Sequence, residues 1–566
     1  MHVSLDARKE LRSHMADVPY IPPGLRTPFE VRRAPQEFKE RLLDKQRTFA
    51  QFSREPGASM AFLSDLYSTT YGVIAACLRQ ATDKTIYSVI WTTPDVNSYP
   101  ALVSFVIPVP EKSGWAAGNN FKGFYDVDSF RGQILSVSQT ERTLAILAVL
   151  SKWDFLRWRS YIIRSPQQQL AVGTHLTGED AKASPTLALF ENYFLSTSFS
   201  RHSIGWASAG ALLADKVKLV GMDINPLGPL TIQTDKGTAT LNQDQTHAVH
   251  LFRARFPIAV IDSAYGAGKT LCTAVMARIA AAAKKTVLIT SIQNSAVDVI
   301  AEKLARMDSK DVRPLRYVSE RVLADTSRIT RYDLANLMEQ LADTSADQLT
   351  EEELQLFRDF AASREYLRQF AFTGTGSEEV RVEHKELLLV ESTMARRLKR
   401  LVDTFLRVYN PTVILCTISS ALNTTQPKGL FVNIYGSWDT VIVDEASMLP
   451  EAVTVALLAR FQNAAFTLIG DSKQLPPYVG VQTVPYAVDL CAQSSLDIAH
   501  KRQNTPTCAV QTVYRPHAKM SVNSEIFYDN QLICGTPPTE RAAVLERIHM
   551  PNPEIPVAFI NVPIPL

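Results

Sequence analysis

At 566 residues, with 46% hydrophobic and 20% charged side chains, the chain has the composition of an ordinary folded protein, which excludes long disorder. The length allows roughly three or four domains, and a formal net charge of +2 leaves nucleic acid open as a partner, because basic residues can be confined to one groove. The N-terminus MHVSLDARKELRSH is too polar for a secretory signal, and no run approaches the ~18–20 apolar residues of a bilayer span, so a soluble protein without a membrane partner is expected.

Six cysteines (Cys77, Cys272, Cys416, Cys491, Cys508, Cys534) are scattered without a C-x-x-C pair. They offer neither a zinc module nor a disulfide framework. Free thiols fit a reducing, intracellular compartment, nucleus or cytoplasm.

Residues 1–35, rich in proline and arginine, read as an extended arm, and helical spacing follows near 36–54 and 58–81, so 1–84 forms an N-terminal arm with helices. From 85 the pattern changes. TIYSVIWTT, ALVSFVIPV and FRGQILSVS are short β-branched and aromatic runs bounded by Pro, Gly, Asn and Asp, which read as strands of a small barrel or sheet. A β-rich accessory region over 85–235 is therefore predicted, with 141–230 open in detail. Aromatics such as Trp153, Trp158, Tyr161 and Trp206 belong to a core before they belong to a base-stacking surface.

The rest of the chain is organised around FPIAVIDSAYGAGKTLCTAVMARIAAAAKK, residues 256–285. An apolar strand breaks into a glycine-bearing turn, and a helix starts at Lys269-Thr270. Backbone N–H groups of Gly266, Ala267 and Gly268 can cradle phosphate oxygens, and the helix N-terminus adds its partial positive charge. Lys269 would reach the terminal phosphates, and the Thr270 hydroxyl would hold the magnesium ion. Against the pattern G-x-x-x-x-G-K-[ST], Ser263 stands at the first glycine position.

Strand patterns recur at TVLITS (286–291), TVILCT (412–417), TVIVDEAS (440–447) and AFTLIGD (465–471), alternating with helices. This predicts a parallel sheet covered on both faces, interrupted by helical sequence over 330–409, within which a Thr350/Glu353 capping box opens TEEELQLFRDFAASREYLRQF. Asp444 and Glu445 emerge from the carboxyl end of a central strand, where ligands sit in such sheets. One carboxylate can hold the metal and the other can deprotonate an attacking water. Gln474, in GDSKQLPP, can contact the γ-phosphate, and Gln245, in LNQDQTHAV, can pair with adenine.

Taken together, these segments resemble the superfamily 1 helicases of the branch containing senataxin and the nonsense-mediated-decay RNA helicase. LNQDQTHAV is similar to the adenine motif, GAGKT to motif I, SIQNSAVD (291–298) to motif Ia and CTISSA (416–421) to motif Ic. VDEAS resembles motif II, GDSKQLPP motif III, and VYRPHAKMSVNSEIFYDNQL (513–532) motif IV. Departures are Ser263, Gln293 in motif Ia, and YRPHA in place of YRMHP.

The resemblance implies a RecA-like P-loop NTPase lobe over 236–329 and 410–500, a helical insertion at 330–409, and the start of an incomplete second lobe at 501–566. It assigns adenine to Gln245 and Tyr514, the phosphates to Gly266–Thr270, the metal to Thr270 and Asp444, catalysis to Glu445, Gln474 and Arg515, and nucleic-acid contacts to Asn294 and Thr417. ATP with Mg²⁺ and single-stranded RNA or DNA are the implied cofactors and partner. Only 51 residues follow Arg515, so a missing lobe or a protein partner is expected to complete the motor. The alternative is a nucleotide-gated nucleic-acid-binding scaffold without significant ATPase activity. A metabolic kinase would leave motifs Ia, Ic and IV unexplained.

Overall fold

The computed structural model describes residues 87–92, 101–109, 115, 120–125, 128–151, 155–156, 167–173, 203–213, 219, 221, 228–234, 237–307, 309–318, 330–371, 398–426, 429–434, 438–477, 494–517, 519 and 522–556. The expected arm over 1–35 and the helices near 36–54 and 58–81 lie outside the described residues.

Six strands, β1 (Tyr87–Thr92), β2 (Leu102–Pro108), β3 (Asn120–Tyr125), β4 (Asp128–Gln139), β5 (Thr143–Leu150) and β6 (Gln167–Gly173), close into an antiparallel barrel in the order β1-β2-β5-β4-β3-β6. Three of them, β1, β2 and β4, fall on the runs read as strands, whereas β3, β5 and β6 carry weaker signals. Closure fixes them, because a barrel has no free edge. Buried and exposed positions alternate along β2 in the period of a strand. Phe121 lies opposite Gly132 and Phe130 opposite Gly123. A Cβ on Gly132 would come within 2.2 Å of the Phe121 ring, so the small residue makes room for the aromatic.

After α1 (Ile204–Leu213), a hairpin, β7 (Thr231–Thr234) and β8 (Gly237–Thr240), leads to α2 (Gln243–Arg253). The next strands are β9 (Ile258–Ser263), β10 (Val287–Ser291), β11 (Pro314–Arg316), β12 (Val413–Thr417), β13 (Thr440–Asp444), β14 (Ala465–Gly470) and β15 (Thr507–Val510). They form one seven-stranded sheet, ordered β11-β12-β10-β13-β14-β9-β15. Every pairing in it is parallel. Such a sheet is buried on both faces, which is why its strands are continuous apolar runs. One face packs Val441, Val443 and Ile414 against α1 and the insertion. The other packs Ile261, Ile289 and Ile442 against α2, α3 (Lys269–Ala282) and α4 (Asn294–Ala305).

The insertion is helical where described: α5 (Leu334–Thr344), α6 (Glu351–Ala371) and helical residues 398–409. Its apolar residues Met338, Phe357 and Phe405 join the same core as Ile414 and Val441, so the described part is built into the lobe. Thr350 and Glu353 form the expected reciprocal cap at the start of α6. Beneath the insertion, Arg316 is 1% exposed and lies between the carboxylates of Asp298, on α4, and Asp333, 2.7 Å away at the N-cap of α5.

The sheet also corrects one boundary. Thr507–Val510, expected to begin a second lobe at 501, pairs with β9 as the edge strand of the first. Beyond it, β16 (Thr512–Val513) and β17 (Ile533–Cys534) form a small parallel pair of their own.

Candidate nucleotide site

The candidate residues gather at the carboxyl ends of β9, β13 and β14, adjacent in the sheet. Gly266 and Gly268 have φ of +70° and +89°, a region that costs a residue with a Cβ. Both also face close neighbours. A Cβ on Gly266 would come within 2.6 Å of the Arg515 side chain, and one on Gly268 within 2.6 Å of Gln245 Nε2. Ser263, by contrast, is the last residue of β9 and has no positive φ. Its extended backbone admits a side chain, which accounts for the loss of glycine at that position.

Lys269 opens α3, and its Nζ lies 2.7 Å from Glu445 Oε1. Glu445 follows β13 in a left-handed conformation (φ 54°, ψ 40°), costly for a residue with a Cβ and a frequent mark of functional sites. Asp444, 3% exposed, holds a buried Oδ1 without a hydrogen-bond partner among the described residues. Burial raises its carboxyl to about 6; Lys269 opposes that rise and the Glu445 charge adds to it. Ser263, Thr290 and Ser447, at or just beyond the carboxyl ends of β9, β10 and β13, have hydroxyls in the same condition. A magnesium ion fits the Asp444 carboxylate, whose buried Oδ1, unpartnered among the described residues, is a hard anionic oxygen. Thr270, half-buried in the first turn of α3, would be the second ligand.

Gln245 is 4% exposed and engaged on both ends. Its Oε1 accepts the Asn242 N–H, closing a capping box on α2, and its Nε2 donates to the Ala267 carbonyl at 2.8 Å. The residue expected to read adenine is thus tied to the phosphate loop. Tyr514 donates its backbone N–H to Gly266 O at 2.9 Å, and its hydroxyl accepts from Asn242 Nδ2 at 2.8 Å. Asn242, absent from the expected set, therefore joins Gln245 to Tyr514. Its signal was its place as the N-cap before Q-x-Q.

Arg515 is exposed, with its backbone against the phosphate loop at Gly266. The Tyr514–Gly266 hydrogen bond and the neighbouring strand β15 anchor this segment to the first lobe. Gln474 Nε2 is engaged within its own loop, donating to Asp471 Oδ2 at 2.6 Å.

Asn294 opens α4 just beyond β10, and Thr417 is the last residue of β12, paired opposite Ser291. Thr417 caps α7 (Ile418–Thr424) by accepting the Ser420 N–H. In the helical residues 398–409, Arg400 and Arg407 pair with Glu352 and Glu353. No helix among the described residues is long and apolar enough to cross a membrane.

The AAA domain family matches residues 240–481. An uncharacterized ATP-dependent helicase of Caenorhabditis elegans is 29% identical over 354 residues, covering 57% of this chain and 22% of that protein. The 5'-3' DNA helicase ZGRF1 of Mus musculus is 33% identical over 107 residues, 19% of this chain and 6% of that protein. A regulator of nonsense transcripts 1 homolog of Neurospora crassa is 25% identical over 351 residues, 60% of this chain and 28% of that protein. The chain therefore spans under a third of the length of each of these relatives.

Proposed function

Because the chain is a relative of the superfamily 1 helicases, in the branch containing senataxin and the nonsense-mediated-decay RNA helicase, we propose that it binds ATP with Mg²⁺ and hydrolyses it in response to single-stranded RNA or DNA. The observation that carries this reading is the convergence of Lys269, which opens α3 after β9, with Asp444 and Glu445 at the end of β13, two strands away in the sheet, with a carboxylate oxygen left buried and unpartnered among the described residues. Relatives named for DNA and for nonsense transcripts support a single strand of either kind as partner.

The positive-φ loop of Gly266 and Gly268 and the N-terminus of α3 receive the phosphates. Lys269 leaves Glu445 for the β- and γ-phosphates, and this exchange frees Glu445 to take the proton of the attacking water. Thr270 and Asp444 would hold Mg²⁺, which when bound neutralises charge on the phosphate oxygens. Gln474 turns from Asp471 to the γ-phosphate, and Arg515, exposed beside the loop, is the cation the 512–534 segment can offer to the developing charge. Thr417, paired with Ser291, and Asn294, three residues beyond Ser291, lie on the same carboxyl edge, where they can contact a strand laid across the sheet.

The engaged state of Lys269, Glu445, Gln245 and Gln474 favours a second reading, a nucleotide-gated scaffold that binds without turnover. Titrating ATP·Mg²⁺ and measuring phosphate release with and without single-stranded RNA or DNA decides between them. Strand-stimulated release that Glu445→Gln removes while binding persists supports the hydrolase. Binding without release supports the scaffold, and no binding defeats both.

A further inference from the structure

The loop after β14 carries Gln474, and part of what holds that loop comes from Tyr528, 57 residues beyond Asp471. Tyr528 follows a short helix, Val522–Phe527. The chain turns sharply there through Asp529 and Asn530, both left-handed, with the Asn530 N–H donating to Ser524 O and the Leu532 N–H to Ser524 Oγ. This turn sets the Tyr528 ring against Tyr265 of the phosphate loop, ring centroids 5.7 Å apart. The Tyr528 hydroxyl donates to Asp471 Oδ2 at 2.8 Å.

That oxygen has a second donor. Gln474 Nε2 reaches it at 2.6 Å, while the Lys473 N–H donates to Asp471 Oδ1 at 3.1 Å. Asp471 is 1% exposed, so water cannot replace a lost donor cheaply. Burial, and the Asp471 carboxylate beside it, raise the Tyr528 hydroxyl well above the usual tyrosine range, which keeps it protonated and donating. An exposed pair, Lys473 with Asp529 at 3.3 Å, joins the same two segments but contributes little in water.

For Gln474 to reach a γ-phosphate its amide must leave Asp471. Without another donor on Oδ2 that step would strip a buried carboxylate oxygen, and Gln474 would stay where it is. We propose that Tyr528 is a positioning residue for Gln474: it keeps Asp471 hydrogen-bonded while the Gln474 amide turns to the nucleotide, and so sets the preference for ATP over ADP. This rests on the proposed ATP site and adds to it a control point outside the phosphate contacts. The tilted ring contact with Tyr265 places that control where the phosphate loop itself can feel it.

The test compares affinities for ADP and for a slowly hydrolysed ATP analogue, both with Mg²⁺, in the full chain and in Tyr528→Phe, Gln474→Ala and the double variant. Tyr528→Phe keeps the ring on Tyr265 and removes only the hydroxyl. The preference for the ATP analogue should fall about tenfold in Tyr528→Phe, as expected for one hydrogen bond to a charged group, with ADP affinity unchanged. Gln474→Ala should lower it comparably, and the double variant should lose no more than the larger single effect, because both act through one contact. An unchanged preference in Tyr528→Phe, additive losses, or an equal loss for both nucleotides overturns the proposal. A wild-type chain that binds ADP without preferring the ATP analogue overturns this inference and leaves nucleotide binding standing. One that binds neither nucleotide overturns both.

Discussion

Within the barrel, Phe105 packs against Trp115 and Phe121 at ring separations of 5.8 and 5.4 Å, Phe121 meets Phe130 edge to face, and none of the described polar side chains of β1–β6 is buried. The carboxyl edge of the parallel sheet is the reverse: Ser263, Thr290, Asp444 and Ser447 are each buried there with a side-chain oxygen that has no partner among the described residues. A closed barrel filled by rings gains chiefly from the burial of their apolar surface. An open sheet that keeps unpartnered polar atoms at one edge gives up stability there. The difference separates a module built to be stable from an edge built to receive something.

Substitutions in the two regions should therefore move different observables. The largest expected effect is on the barrel. Phe121→Ala should cost about 3–5 kcal/mol of stability in denaturant unfolding while leaving nucleotide affinity intact in the folded fraction. Lost nucleotide affinity in a folded Phe121→Ala chain would break the separation.

At the sheet edge the pattern inverts. Lys269→Ala should lower ATP affinity by about a hundredfold, ~2.7 kcal/mol, with the unfolding midpoint little changed, since Lys269 touches Glu445 rather than the core. Equal affinities in a calorimetric titration would remove Lys269 from the site.

Asp444→Asn should act on both observables in opposite directions. A carboxyl held at about 6 in the folded chain takes up protons that the unfolded chain, near 3.8, has already released. Stability is therefore lost as pH rises from about 4 to 6 and stays low above that window. Asp444→Asn should raise stability by about 2–3 kcal/mol at pH 8 and by nothing at pH 3, while abolishing Mg²⁺-dependent nucleotide binding. A stability gain at both pH values, or none at pH 8, would mean that the charge is not what the sheet tolerates there.

The smallest effect is at Glu445. Glu445→Gln releases Lys269 from its partner, and ATP affinity should rise by no more than about fivefold, under ~1 kcal/mol. Weaker binding would show that Glu445 helps hold the nucleotide.

The sequence by itself determined the sheet, the phosphate loop, the paired carboxylates and the order of the motifs. These are legible because each is local: a strand, a turn and a helix start within fifteen residues carry their own periodicity and turn chemistry. The capping box on α6 was legible for the same reason. Tertiary structure alone decided that Thr507–Val510 completes the first lobe, since a four-residue strand has no signal until β9 offers it an edge. It alone joined Asp262 to Ser472, 210 residues apart, and Asn242 to Tyr514, 272 apart. It also turned Gln245 and Gln474, legible as candidates by motif, onto partners inside the protein. The physical reason is that a spacing rule names which residue can donate a hydrogen bond, whereas which acceptor it meets is set by the packing of segments that the sequence keeps far apart.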